Sequence, residues 1–254
     1  MKKILLLITT LVVSMMVFAE GEGEKKFKFN PEPSDIRPIG LTVGYVQKSF
    51  KYGSNIKEHA WSSVPVYYSG DNDVKRQGTL QVGLNINPEF RYGIGLQTGL
   101  FYELTPSVSN FDPEINPDLK ISLIDHELSI PLRISYRYEI VKNFSVFLFT
   151  GPSFDIGLAG TYKKMNENGD WTKRDLYSGA YSDSYGNSEK GEKGEKEIKR
   201  FHLMWGVGGG LQFKGLRLTL QGDWGLNNIN AVTQKASDAV KLSKPFAINL
   251  SYMF

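Results

Sequence analysis

The carboxy-terminal nine residues constrain the fold most. Phe246, Ile248, Leu250, Tyr252 and Phe254 alternate with Ala247, Asn249, Ser251 and Met253. A period of two means a β-strand with one apolar face and one small or polar face. The strand stops on an aromatic residue, as expected of the closing strand of an outer-membrane barrel. There the apolar face meets lipid and the polar face lines the lumen.

The amino end has the parts of an export signal. Lys2 and Lys3 precede an apolar run, Ile4 to Phe18, and Val17 and Ala19 are small residues before an expected cut after Ala19. The run is shorter than the roughly 20 residues of a spanning helix, so residues 1–19 are read as a cleaved signal. Later apolar stretches are interrupted at alternate positions, which argues against a helical inner-membrane protein. The chain has no cysteine, hence no disulfide, thiolate site or lipidated Cys. Removing Lys2 and Lys3 from the 30 basic residues leaves 28 against 27 acidic ones. A chain so balanced does not suggest nucleic acid, which usually meets a clustered basic face.

Residues 20–38 are polar, contain three prolines and read as a periplasmic lead-in. From 39 to 254 the alternation predicts eight strands: Ile39–Tyr45, Leu80–Ile86, Ile94–Tyr102, Leu128–Tyr138, Phe144–Leu158, Phe201–Phe213, Leu216–Leu226 and Phe246–Phe254. Connections alternate in length. Tight turns at 87–92, 139–143 and 214–215 take turns with long loops at 48–77, 105–124, 162–200 and 227–244. This predicts an all-β, eight-stranded antiparallel up-and-down transmembrane barrel, long loops outside. A soluble calycin-like barrel is the alternative, but it would not need Gly, Ser, Gln, Arg and Asp on every non-apolar face. Tyr136, Tyr138, Phe144, Phe213, Tyr252 and Phe254 are expected to form one aromatic belt. Tyr45, Tyr102, Phe154, Trp205, Trp224 and Phe246 are expected to form the other.

Five segments carry a family resemblance: His126–Arg133 (HELSIPLR), Gly151–Leu158 (GPSFDIGL), Trp205–Gln212 (WGVGGGLQ), Gly225–Asn230 (GLNNIN) and Leu250–Phe254 (LSYMF). The resemblance they carry extends from about Leu41 to the end. In that order they resemble the PorT-like small outer-membrane barrels, the outer membrane protein beta-barrel domain. The resemblance implies a barrel of about eight strands in the bacterial outer membrane. It implies no single activity, since some members are accessory to protein secretion.

An eight-stranded interior is nearly filled by side chains, and charges there must pair or meet water. Folding each hairpin about its turn places Glu103, Glu127, Asp155 and Asp223 at similar heights towards the outer mouth. Arg133, Arg137 and Arg217 fall lower. These seven are read as a lumen network of ion pairs. A cation such as calcium on the upper carboxylates is the sharper alternative; no metal site is assigned.

Three histidines are present: His59, His126 and His202. His126 and Ser129 are the crude candidate for a lipid-cleaving pair, but their parity is opposite, and a nucleophile needs its base within hydrogen-bond reach. No catalytic residue and no cofactor are assigned. In the 162–200 loop, Trp171, Tyr177, Tyr181 and Tyr185 lie among Gly, Ser, Asn and Asp, a composition that binding surfaces use. They are the candidate recognition residues. Asn166–Asp170 and Asp71–Asp73 lack the full spacing of calcium loops.

These readings converge on a monomeric, non-catalytic protein with lipid around it and a protein or surface ligand at its loops. It would serve surface binding, membrane structure or secretion. A narrow or gated channel for ions or small solutes is the alternative, and a lipid-modifying enzyme a more distant one.

Overall fold

The computed structural model describes residues 37–52, 77–106, 120–165, 169–178, 180–189, 198–229 and 240–254. The expected export signal, nearly all of the expected lead-in, His59, the Asp71–Asp73 stretch and residues 166–168 of the Asn166–Asp170 stretch lie outside them.

The strands are β1 (Ile39–Tyr52), β2 (Gln77–Ile86), β3 (Ile94–Thr105), β4 (Lys120–Val141), β5 (Phe144–Met165), β6 (Trp171–Asp175), β7 (Tyr181–Asp183), β8 (Ser188–Glu189), β9 (Phe201–Phe213), β10 (Leu216–Gly225) and β11 (Val240–Met253). Eight of them close a ring in the order β4-β3-β2-β1-β11-β10-β9-β5, and β5 pairs back onto β4. Every neighbouring pair is antiparallel. Closure leaves no sheet edge to satisfy inside lipid, the condition for a sheet to cross a membrane. The first and last strands meet with Leu41 opposite Tyr252 and Val43 opposite Leu250. No described helix is long and apolar enough to cross a membrane.

The faces sort as the alternation predicts. Val43 is 60% exposed, Ile134 68% and Leu148 67%, whereas Glu103 and Asp155 are fully buried. A water-soluble barrel would show the reverse. The oily side chains form the outer wall, and charge, amide and hydroxyl groups fill the centre. Tyr45, Trp205, Trp224, Phe246, Tyr252 and Phe254 are exposed on that wall, but Phe144, expected in the short-turn belt, is buried at the start of β5.

Two further aromatic rings point inward. Phe147 and Phe149 are 2% and 3% exposed and share the parity of Ser145 and Asp155. They face Gly210 and Gly208 of β9 across the pair. A Cβ at Gly208 would stand 2.4 Å from the Phe149 ring, and one at Gly210 2.7 Å from Phe147. The glycine run of β9 thus clears space for two lumen rings. Arg133 lies over Phe149 (5.1 Å to the centroid) and Arg217 over Phe147 (3.6 Å), so each guanidinium covers a π face.

Strands run further than the alternation alone predicts. β1 continues to Tyr52, β4 begins at Lys120 and β11 begins at Val240. β4 and β5 have 22 residues each, about 70 Å at roughly 3.3 Å per residue, far more than a bilayer requires. Their outer ends, before Asp125 in β4 and after Ile156 in β5, continue past the pairings with β3 and β9 as a two-stranded ribbon, and β6, β7 and β8 add a small sheet to it.

Candidate functional site

Lumen charges gather at the long-loop end of the barrel. Each of the eight barrel strands contributes an inward polar group: Lys48, Gln81, Glu103, Glu127, Asp155, His202, Asp223 and Lys244. All are buried. Glu103 and Glu127 are direct cross-strand partners on β3 and β4, a placement that repels unless a cation joins them. Lys48 does so. Its Nζ lies 2.6 Å from Glu127, 3.3 Å from Glu103 and 3.8 Å from Asp125. Lys244 donates to Glu103 at 2.6 Å and also pairs with Asp155. Gln81 donates to Glu103 at 2.9 Å. Arg133 donates to Asp223 at 2.5 Å and to Gln221 at 2.8 Å. His202 Nε2 donates to the Lys199 carbonyl at 2.8 Å, while Nδ1 lies 3.5 Å from Glu127.

Of the seven predicted network residues, the structure brings Glu103, Glu127, Asp155, Asp223 and Arg133 into this cluster. Arg137 and Arg217 lie apart, at the short-turn end. There Arg137 pairs with Glu89 at 2.5 Å, and Arg217 stacks on Phe147.

Three members escaped the sequence reading. Lys48 and Lys244 were placed in loops, and Asp125 was passed over. Lys48 falls on the inward parity of β1 once the strand is extended. Lys244 has a different cause. Between Ala247 and Lys244, β11 takes three steps where β10 takes two, from Gln221 to Asp223. The same irregularity appears against β1. This is a β-bulge, and it reverses the parity of the strand. Without it Lys244 would point at lipid. Pro245, at the bulge, is the one sequence signal that could have found it.

The cluster also bears on the cation alternative. Glu103, Glu127 and Asp155 can bring oxygens within 4.8 Å of one another, but the Lys48 and Lys244 ammonium groups stand among them and supply the positive charge.

Above the cluster, loop segments are stitched together by backbone bonds: Leu176 to Gly160, Ile198 to Leu176, Lys199 to Ile229 and Ile229 to Val240. Leu176, Ile198, Ile229, Val240 and Leu242 are all buried, a small apolar layer at the outer mouth. Tyr177 belongs to it. The sequence reading placed this residue among the recognition aromatics, yet it is 3% exposed. Its hydroxyl donates to Asp125 at 2.9 Å, and Arg200 covers its ring at 5.2 Å. Gly157 permits this, since a Cβ there would stand 2.2 Å from the Tyr177 Cζ. The Asp175 carboxylate accepts from the Tyr177 and Ser178 amides and sets the turn that aims the ring inward.

The other loop aromatics stand further out. Trp171 opens β6, with Lys163 over its ring at 5.2 Å. Tyr181 sits in β7, opposite Arg174 and Glu189. Tyr185 is 74% exposed at the tip of the β7–β8 connection. The Asp183 carboxylate accepts from the Tyr185 and Asn187 amides and holds that tip. A hydrogen bond to Asp170, together with its charge, raises the Tyr185 phenol above its ordinary pKa.

Of the two described histidines, His126 faces outward against the Tyr102 hydroxyl (2.5 Å). Ser129 faces inward and meets Ser153 at 3.3 Å. The wall of the barrel separates them.

No curated protein matches the chain. Solved outer-membrane barrels share some likeness with the chain, two of them as follows. Ail, the attachment invasion locus protein of Yersinia pestis, in complex with the heparin analogue sucrose octasulfate, is 14% identical with a TM-score of 0.38, over 85% of this chain and 97% of that one. Neisserial surface protein A is 5% identical with a TM-score of 0.39, over the same shares, 85% and 97%. A family model described as "Outer membrane protein beta-barrel domain" matches residues 27–231. That match takes in most of the chain, which therefore belongs to this family of bacterial outer-membrane barrels.

Proposed function

We propose that the protein is a non-catalytic outer-membrane barrel that acts through its long loops, in surface binding, membrane structure or as an accessory to secretion. Within the family we place it with the PorT-like members, on the five segments named above. One observation carries the reading: the outer end of the lumen is filled by buried polar groups from all eight strands, most of them ion-paired, and covered by a buried apolar layer. Such an interior offers a rigid platform and no open path, so contact with a partner falls to the exposed hairpin beyond it. Tyr185, with Trp171 and Tyr181 on neighbouring strands, is the group to test. His126 meets the Tyr102 hydroxyl and His202 Nε2 the Lys199 carbonyl, and among the described residues neither faces a nucleophile positioned by a third group, which supports a non-catalytic role.

The test is photo-crosslinking from position 185 in intact cells. A discrete crosslinked species, lost when the crosslinker is moved to buried position 176, supports the proposal. Failure to crosslink from 171, 181 and 185 alike contradicts it.

A channel is the second reading, favoured by a polar cavity below the cluster. The Gln97 and Asn249 side-chain oxygens and the Arg133 Nε there have no protein partner. Its outward path runs into Lys244, Glu103 and Asp223, so conduction would require that cluster to open.

A further inference from the structure

The other mouth of the barrel has opposite electrostatics. A cavity there, with about 400 Å3 of empty space including open solvent, is lined by Arg37, Arg137, Arg217, Glu89, Ser135 and Gln212 among others. Among the described lining residues, Arg137 and Arg217 have one carboxylate between them. That carboxylate, Glu89, is already engaged by the Arg137 Nε at 2.5 Å. Arg37 bends back beneath the barrel, its guanidinium near the Gly215 turn.

Arg217 is the unusual member. It is 5% exposed. One face of its guanidinium lies on Phe147, with 3.6 Å between Cζ and the ring centroid. Among the described residues no carboxylate lies within ion-pair distance and no side-chain acceptor is assigned to it. A buried cation normally has such a partner, because leaving one unpaired is costly. Stacking on Phe147 satisfies a face but none of the five N–H donors, which lie in the guanidinium plane and offer a fork that fits two oxygens of one oxyanion. The upper cluster shows what this chain does with lumen cations when it means to neutralise them: Lys48, Lys244 and Arg133 each meet a carboxylate. Arg217 departs from that pattern.

We propose that the short-turn mouth binds a small oxyanion, a phosphate or carboxylate group, gripped by the fork of Arg217, flanked by Arg137 and closed at the rim by Arg37. In an outer-membrane barrel this mouth faces the periplasm. The ligand is either a soluble oxyanion of that compartment or the phosphate of an inner-leaflet lipid headgroup.

The test titrates inorganic phosphate into the refolded mature protein in a neutral maltoside micelle, against chloride at matched ionic strength, by calorimetry. One saturable site is expected. Arg217→Gln weakens it at least about tenfold, the usual scale for a charge-assisted hydrogen bond. Lys173→Gln, at the opposite end, leaves it unchanged. Heat-shifted gel mobility verifies that each variant is folded. Arg37→Gln, at the more exposed rim, serves if Arg217→Gln does not fold, and is expected to weaken binding as well. Repeating the titration in nanodiscs separates the sources. Phosphate binding that persists in phosphatidylglycerol discs marks a soluble ligand, and binding abolished there but kept in micelles marks the headgroup. No saturable binding in micelles, or binding that Arg217→Gln and Arg37→Gln both leave intact, overturns the proposal.

Discussion

Glu103 and Glu127 stand directly opposite each other across β3 and β4, both buried, and are held together by the Lys48 ammonium. Lys48→Met is therefore expected to destabilise the barrel by about 3–5 kcal/mol, the scale of leaving buried charge uncompensated. Lys48→Met with Glu127→Leu should recover at least about 1 kcal/mol of that loss. Urea unfolding in lipid vesicles, followed by tryptophan fluorescence, measures both. Equal losses in the single and double variants would show that the pair is not coupled.

The outer cover should loosen when Tyr177 is disturbed. Tyr177→Phe removes the hydrogen bond to Asp125, worth about 1–2 kcal/mol of local stability. Tryptic cleavage between residues 163 and 200 should then quicken about tenfold, because cleavage follows local opening. Gly157→Ala should act more strongly, since its methyl would occupy the space of the Tyr177 ring. Unchanged cleavage in both variants would show that the ring does not hold the cover.

Conduction follows from the residue types in the cluster. The carboxyl groups of Glu103, Asp125, Glu127, Asp155 and Asp223 outnumber the cationic groups of Lys48, Lys244 and Arg133. The wild-type protein is expected to give no steady single-channel steps in planar bilayers. Lys48→Ser with Lys244→Ser should give small cation-selective steps, because the carboxylates remain. Anion selectivity would contradict the arrangement.

Calcium should have no effect on the wild type. With lysine ammonium groups among Glu103, Glu127 and Asp155, millimolar calcium is expected to leave the melting temperature unchanged. A rise of several degrees would show that the carboxylates are available to a divalent ion.

The architecture was legible because period-two alternation reports directly on a wall with lipid on one side. Hairpin folding also placed Glu103, Glu127 and Asp155 at one height, where register brings them together. What escaped has physical causes. Lys244 faces inward only because a bulge reverses β11, and a bulge is one residue of extra length that alternation cannot register. Lys48 was lost with the end of β1, where the strand outruns its apolar face. Phe147 and Phe149 are apolar residues on the inward parity, which alternation between apolar and polar faces does not single out, and only the glycines opposite them reveal an aromatic lumen. Tyr177 has the composition of a binding residue, but the Asp175 turn and the gap at Gly157 draw it inside.

The central claim is that oily side chains face acyl chains and charges face the lumen. The chain has no cysteine, so a single spin label can be placed without background. Labels at Ile134 and Leu148 in lipid vesicles are predicted to collide readily with oxygen and poorly with a polar nickel reagent, while a label at Ser145 or Ser153 should be shielded from oxygen. Labels at 134 and 148 shielded from oxygen, with 145 and 153 exposed to it, would contradict the account.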